Sequence, residues 1–161
     1  MADGAEARDV VVDEETAEEI LDYLVKYRRA TREHIVLELW WNTGLRLGGT
    51  RALDVEDLRP DDDALAVQHR PETDTPLKNK KAGERWVWLG ERLFGLVEEY
   101  IEVHRYDVQD GHGRNPLITT RQGRVSDSTL RDTSYRWTQP CRWRNGDCPH
   151  DREQESCEAY G

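Results

Sequence analysis

Thr43-Gly44-Leu45-Arg46-Leu47-Gly48-Gly49-Thr50-Arg51-Ala52-Leu53-Asp54-Val55-Glu56-Asp57-Leu58 is the stretch whose reading decides the fold. An apolar run of helical character ends just before it, at Trp40-Trp41. Asn42-Thr43-Gly44 breaks that run, because glycine readily takes the positive φ that closes a helix. Arg46 follows between two leucines, a setting that places a residue on a packed element, and Gly48-Gly49 lets a second backbone or a ligand come close. An arginine fixed there is a permanent cation with a planar fork of donors, suited to a phosphate. The structural alternative is an arginine at a helix end, ion-paired with Asp54 or Glu56.

Working outward, Asp13 can cap a helix whose first turns hold Glu14, Glu15, Glu18 and Glu19, favourable to the helix dipole. Ile20, Leu21, Leu24 and Val25 continue it at helical spacing to about Arg29. Thr31 can cap a second helix with Ile35, Val36, Leu39 and Trp40 on one face; His34, in its first turn, reads as structural. Thr50 to Leu53 suits a short helix with Arg51 as an ion-pairing residue, and Asp57 to Asp63 a turn. Ala64 to Gln68 alternates as a strand does. Leu93, Phe94, Leu96, Val97, Tyr100 and Ile101 mark a third helix over 91–104, with Tyr100 in the core. Residues 116–120 suit a short strand, 121–124 a turn, and Ser126 the cap of a helix to about Trp137. The fold class expected is α+β: helices packed on a small antiparallel sheet.

Lysine is scarce, with four against 19 arginines, and three of the four fall at Lys78, Lys80 and Lys81. Residues 77–81 and 84–89 read as two strands of a hairpin turning at Ala82-Gly83, with Arg85 beside the basic tip. The bland alternative is that these lysines keep a hairpin tip soluble.

Cys141, Cys148, His150 and Cys157 have the ligand count of a structural Cys3His zinc site. Bound zinc would organise a segment with almost no aliphatic residues. Free thiols or a disulfide are the alternatives.

The chain has 161 residues, of which 36% are hydrophobic and 35% charged, and its formal net charge is −10. Mean hydropathy is −0.91. This acidic, lysine-poor composition suits a high-salt environment. An acidic protein repels DNA at low salt. At about 1 M salt, however, the screening length is only about 3 Å, so a global charge is nearly invisible while close arginine–phosphate contacts persist. No apolar run approaches the roughly 20 residues of a membrane span, and the acidic N-terminus has no signal-peptide core, so the expectation is a cytoplasmic protein with no membrane partner.

Thr43-Gly44-Leu45-Arg46 with the following Ala-Leu-Asp-Val-Glu-Asp-Leu segment resembles the first-arginine box of the tyrosine recombinases, the phage-type integrases. Members usually carry a glutamate about where this chain has Gly49. The segment from Lys78 to Leu89 resembles the lysine-bearing β-hairpin of the same family, with a slightly longer loop. By that resemblance Arg46 is the phosphate clamp and Lys78 the catalytic lysine, with Lys80 and Lys81 as alternatives. Lys80, Lys81, Arg85, Arg121, Arg124 and Arg131 become candidate contacts to double-stranded DNA; ordinary surface charge is the alternative for the last three.

The resemblance implies transesterification through a phosphotyrosyl link, needing no metal or other cofactor in the chemical step, with other recombinase protomers as partners on DNA. It covers residues 13–138, flanked by a lead-in over 1–12 and the Cys/His segment over 139–161. The second arginine box and the nucleophilic tyrosine have no counterpart in the sequence, so the chain is expected not to complete strand cleavage alone. A non-catalytic DNA-binding or partner-binding remnant of a recombinase is the alternative, and a zinc-dependent interaction domain unrelated to DNA a third.

Overall fold

A computed structural model describes residues 12–139 and Trp143; Cys141, Cys148, His150 and Cys157 lie outside the described residues. Helix α1 (Glu14–Tyr27) starts where Asp13 accepts a hydrogen bond from the Thr16 N–H, with Glu14 and Glu15 in its first turn. Helix α2 (Arg32–Thr43) is capped by the Thr31 hydroxyl and stopped by Gly44, whose φ of +65° lies in the left-handed region. A short helix α3 (Leu47–Ala52) follows Arg46 directly, three residues earlier than the sequence suggests. Helices α4 (Gly90–Val103) and α5 (Asp127–Trp137) fall close to their expected bounds, the latter capped by Ser126.

Strands β1 (Leu58–Arg59), β2 (Ala64–Val67) and β3 (Arg85–Trp88) form one antiparallel sheet in the order β1-β2-β3. A separate pair, β4 (Thr119–Thr120) and β5 (Gly123–Arg124), turns back just before α5. The hairpin differs from the sequence expectation. The partner of β3 is β2, in the register Ala64 to Trp88 and Val67 to Arg85, not residues 77–81. Two features keep 77–81 from pairing. Leu77 is drawn into the core while its N–H bonds to His69 Nδ1 at 2.9 Å, and Lys80 takes a φ of +52° within a 3-10 turn over Lys80–Gly83. The lysines therefore ride on the long connection from β2 to β3.

Ile35, Val36 and Leu39 of α2 meet Leu93, Phe94 and Val97 of α4, Leu65 and Val67 of β2, and Leu117, Ile118 and Leu130 in one core. Tyr100 is in that core, as expected, with its hydroxyl accepting from the Thr119 N–H at 3.2 Å; burial pushes its pKa up. A smaller cluster joins Ile20 and Leu24 to Trp137 and Trp143. Among the described residues no helix is long and apolar enough to cross a membrane.

His34 is structural. Its Nδ1 accepts the Ala30 N–H at 3.0 Å, which leaves Nε2 to donate to Glu38 Oε1 at 3.3 Å. Glu38 is buried, and Arg92 of α4 closes over it at 2.8 Å. Burial alone would raise the Glu38 pKa, but the hydrogen bonds from His34 and Arg92 outweigh it and bring the pKa from 4.5 down to about 2. A carboxyl with a depressed folded-state pKa stabilises fully above its unfolded value and loses that contribution as pH falls toward the folded value. Thermal unfolding scans should therefore show stability falling between about pH 4.5 and about pH 2. Glu38→Gln should start less stable and show a shallower fall over the same window.

Candidate functional site

Arg46 is held by its backbone and leaves its side chain free. Its carbonyl accepts from the Thr50 N–H at 2.9 Å and the Thr50 hydroxyl at 3.0 Å. The Trp40 indole N–H in turn donates to that hydroxyl at 2.8 Å, tying the start of α3 to the end of α2. Thr43 completes the turn, donating to the Leu39 carbonyl and accepting from the Leu45 N–H. Leu45 anchors the segment in the core. The Arg46 guanidinium is exposed and has no hydrogen-bond or ion-pair partner among the described residues. The alternative pairing with Asp54 or Glu56 is not what the structure contains.

The loop over 68–84 contributes Leu77, Lys78, Asn79 and Gly83 to a cleft that Arg46 also lines. His69 braces this loop, its N–H donating to Glu84 Oε1 at 3.1 Å and its Nδ1 receiving the Leu77 N–H. Lys78 lines the same cleft as Arg46, of about 400 Å³. Arg85, at the start of β3, is the third cation lining it, and its guanidinium also donates to the Gly83 carbonyl at 3.1 Å. Leu45, Val67 and Leu77 supply a buried apolar floor. Among the described residues no carboxylate lines this cleft. Gly49 also lines it and is buried: a Cβ there would stand 3.0 Å from Leu45 Cδ1, so a larger residue would need that leucine side chain to shift.

The remaining basic candidates separate clearly. Lys80 and Lys81 are exposed on the 3-10 turn and do not line the cleft. Arg121 is exposed on the β4–β5 turn, its Nε donating to the Tyr106 hydroxyl at 3.4 Å. Arg131 is exposed on α5, beside a different depression. Arg124 requires a correction: only 5% of its side chain is exposed, and its guanidinium faces inward. It donates to Asp54 at 2.5 Å, Asp110 at 2.8 Å, and the Arg51 and Leu53 carbonyls, so no donor face remains for a phosphate. Position in the sequence could not distinguish it from Arg121 three residues earlier.

Sequence reasoning also missed the groups that fix the two segments lining the cleft relative to each other. Asp54, just after α3, receives Arg114 at 2.8 Å, Arg124 at 2.5 Å and Arg70 at 3.3 Å. Arg70 reaches Asp57 at 2.5 Å, and Asp57 accepts the Asp54 N–H at 2.8 Å. Arg114 extends to Thr73 and Thr75 at the base of the Lys78 loop and to the Ala52 carbonyl at the end of α3. The hydrogen bond to Asp57 is the main cause of a raised Arg70 pKa. Burial would raise the Asp110 pKa, but hydrogen bonds from Arg124 and from the Arg114 and His112 N–H groups hold it below the usual carboxylate range. Arg51, as expected, is an ion-pairing residue, bound to Asp74 of the same loop. Among the described residues no cluster of His, Cys, Asp and Glu is arranged to hold a metal ion.

The free and the internal arginines should respond oppositely to truncation. Arg124→Ala strips a partner from two carboxylates and should cost about 3 kcal/mol. At roughly 2–4 °C per kcal/mol for a chain of this size, its melting temperature should fall by roughly 6–12 °C. Arg46→Ala removes no contact and should stay within about 0.5 kcal/mol of wild type. Differential scanning calorimetry of the two variants checks both.

The comparisons with known proteins agree with this architecture. The phage integrase family matches residues 11–142. The crystal structure of XerA recombinase superposes with a TM-score of 0.62 at 16% identity, over 85% of this chain and 43% of that one. The chain thus spans less than half the length of that structure. No curated protein matches the sequence. With the family match running from before α1 to beyond α5, the chain belongs to the phage integrase family.

Proposed function

We propose that this chain carries the phosphate-clamping part of a site-specific DNA recombinase. The observation that carries the reading is the meeting of Arg46 and Lys78 on one cleft free of lining carboxylates among the described residues. Strand transfer at a phosphodiester builds negative charge on the non-bridging oxygens and needs a proton for the departing 5′-oxygen. Arg46, unpartnered among the described residues, would neutralise the first through paired N–H donors. Lys78, which lines the same cleft, would supply the second as a general acid. Arg85 adds charge to the same concavity, and exposed Lys80 and Lys81 extend it toward the flanking backbone. Among the described residues no tyrosine lines the cleft, so the nucleophile is assigned to none of them. That same observation favours, as a second reading, a chain that holds DNA without cutting it.

In keeping with its composition, we place the protein in the cytoplasm of a high-salt cell, with other protomers as its partners on DNA. The cysteines and His150 remain candidate ligands for a structural zinc ion, outside the catalytic step.

Equilibrium binding to double-stranded DNA, titrated against salt, tests the proposal. Each phosphate contact contributes about −0.9 to the slope of log affinity against log salt. Arg46→Ala and Lys78→Ala should each flatten the slope by about that amount. Wild-type protein that shows no affinity for DNA would sink the proposal. A nicked suicide substrate separates the two readings: a covalent adduct on this chain favours cleavage, and binding without an adduct favours a holding role.

A further inference from the structure

Strand β3 ends one side of the sheet β1-β2-β3, and among the described residues no strand pairs with its outer edge. The phase of the ladder fixes which groups that edge carries. Leu89 stands opposite Asp63 in the continued register, and its N–H donates to the Asp63 carbonyl at 2.8 Å. Hydrogen-bonded and non-bonded pairs alternate along an antiparallel ladder. Val87 and Arg85 are therefore the residues bonded to β2, and the N–H and carbonyl of Trp86 and Trp88 point away from it. Among the described residues no other hydrogen bond takes up those groups. The Trp86 and Trp88 residues are also 61% and 74% exposed. The two ends of the strand differ in charge. Exposed Lys80 and Lys81 lie on the turn that leads into it. Exposed Asp61 and Asp62, just before the Ala64 that pairs with Trp88, lie at the other end with Glu91.

We propose that the open edge of β3 docks β3 of a second copy of this chain, antiparallel, into one continuous sheet. A row of unpaired N–H and carbonyl groups is a template for another strand. The strand supplies a register for itself. A two-fold axis through Val87 sets Trp86 of each copy opposite Trp88 of the other, and both carry outward-facing backbone groups. Four hydrogen bonds then form: in each direction, the Trp86 N–H donates to the Trp88 carbonyl and the Trp88 N–H to the Trp86 carbonyl. Directly opposite residues share a face, so the tryptophans meet in two cross-strand aromatic pairs. Moving the axis one residue either way sets Trp88 against Glu84 or Trp86 against Gly90 and leaves one such pair. Charge selects the antiparallel sense, which brings the lysine turn of each copy toward the aspartate end of the other. A parallel pairing would set like charges together. Two tryptophans of roughly 150–250 Å² each fall well short of the about 800 Å² per partner of a standard interface. The dimer is therefore a weak one in exchange with monomer. This inference stands independently of the cleft's reading as a DNA site.

Sedimentation velocity of the full chain over a rising series of concentrations, without DNA, tests this. The wild type should shift reversibly from monomer toward dimer. Trp86→Lys and Trp88→Lys, which place on the edge the residue natural sheets use to block pairing, should stay monomeric throughout. Trp86→Thr, which keeps strand propensity, should lower the dimer fraction. Trp41→Lys, at an exposed tryptophan on α2, should dimerise as the wild type does. Lys81→Glu and Asp62→Lys should each weaken the dimer, and the chain carrying both should recover it. Melting curves should show every variant folded. A wild type that is monomeric at every concentration, or a dimer that survives Trp86→Lys and Trp88→Lys, overturns the proposal. So does a doubly reversed chain no stronger in pairing than the single reversals. Slow hydrogen exchange of the Trp86 and Trp88 N–H groups in a persistent monomer would assign the edge to another segment of this chain and overturn it equally.

Discussion

Asp54 stands where three segments of the chain meet. Its carboxylate is buried, and one guanidinium arrives from the loop after β2, one from the loop after α4 and one from β5. A carboxylate taken out of water without partners is costly by several kcal/mol, so the segments that bring those arginines are held to the place where Asp54 sits. Asp57 extends the hold through Arg70 and through the Asp54 N–H. Arg46 lies on the far side of α3 from this cluster, and Lys78 lies three residues past Thr75, which Arg114 grips. The ion pairs at the base of the cleft, with the Arg51–Asp74 pair and the shared packing of Leu45 and Leu77, hold the two segments that line it.

This division of labour explains how an acidic, arginine-rich chain can present a cationic cleft. Many arginines are tied up in ion pairs: Arg70, Arg114 and Arg124 around Asp54, Arg92 over Glu38, Arg51 against Asp74. The cations that face the cleft are few, and among the described residues no carboxylate stands beside them to neutralise them. A local field of that kind acts over a few ångströms and survives screening that erases the effect of the net charge of −10. Gly49 packs closely under this segment, where a Cβ would stand 3.0 Å from Leu45 Cδ1.

The outer face of the small sheet shows another consequence of the β2–β3 pairing. Ala64 and Ala66 stand opposite Trp88 and Trp86, and the two alanines are buried while the tryptophans remain exposed. The Arg59 guanidinium lies 5.7 Å from the Trp86 ring. Trp88 folds toward Gly90, where a Cβ would stand 3.3 Å from its ring; the φ of +79° at that position also suits glycine. Small residues under large ones thus cover the sheet without a further layer of structure.

Much of this was legible in the residues themselves. Local rules gave the caps at Asp13, Thr31 and Ser126, the stop at Gly44 and the apolar faces of α1, α2 and α4, because each depends on neighbours within a turn or two of chain. The turn that carries Arg46, between two leucines and before paired glycines, was legible for the same reason. Pairing of β3 with β2 rather than with residues 77–81 was not legible, since it depends on Leu77 finding the core and on Lys80 adopting a left-handed turn. Nor was the fate of Arg124, which differs from Arg121 only in facing two buried carboxylates. By itself the sequence determined where helices begin and end and which basic residues were candidates to meet a phosphate. Only the tertiary structure decided which cations remain free to do so, because an arginine's availability depends on carboxylates brought beside it from distant parts of the chain.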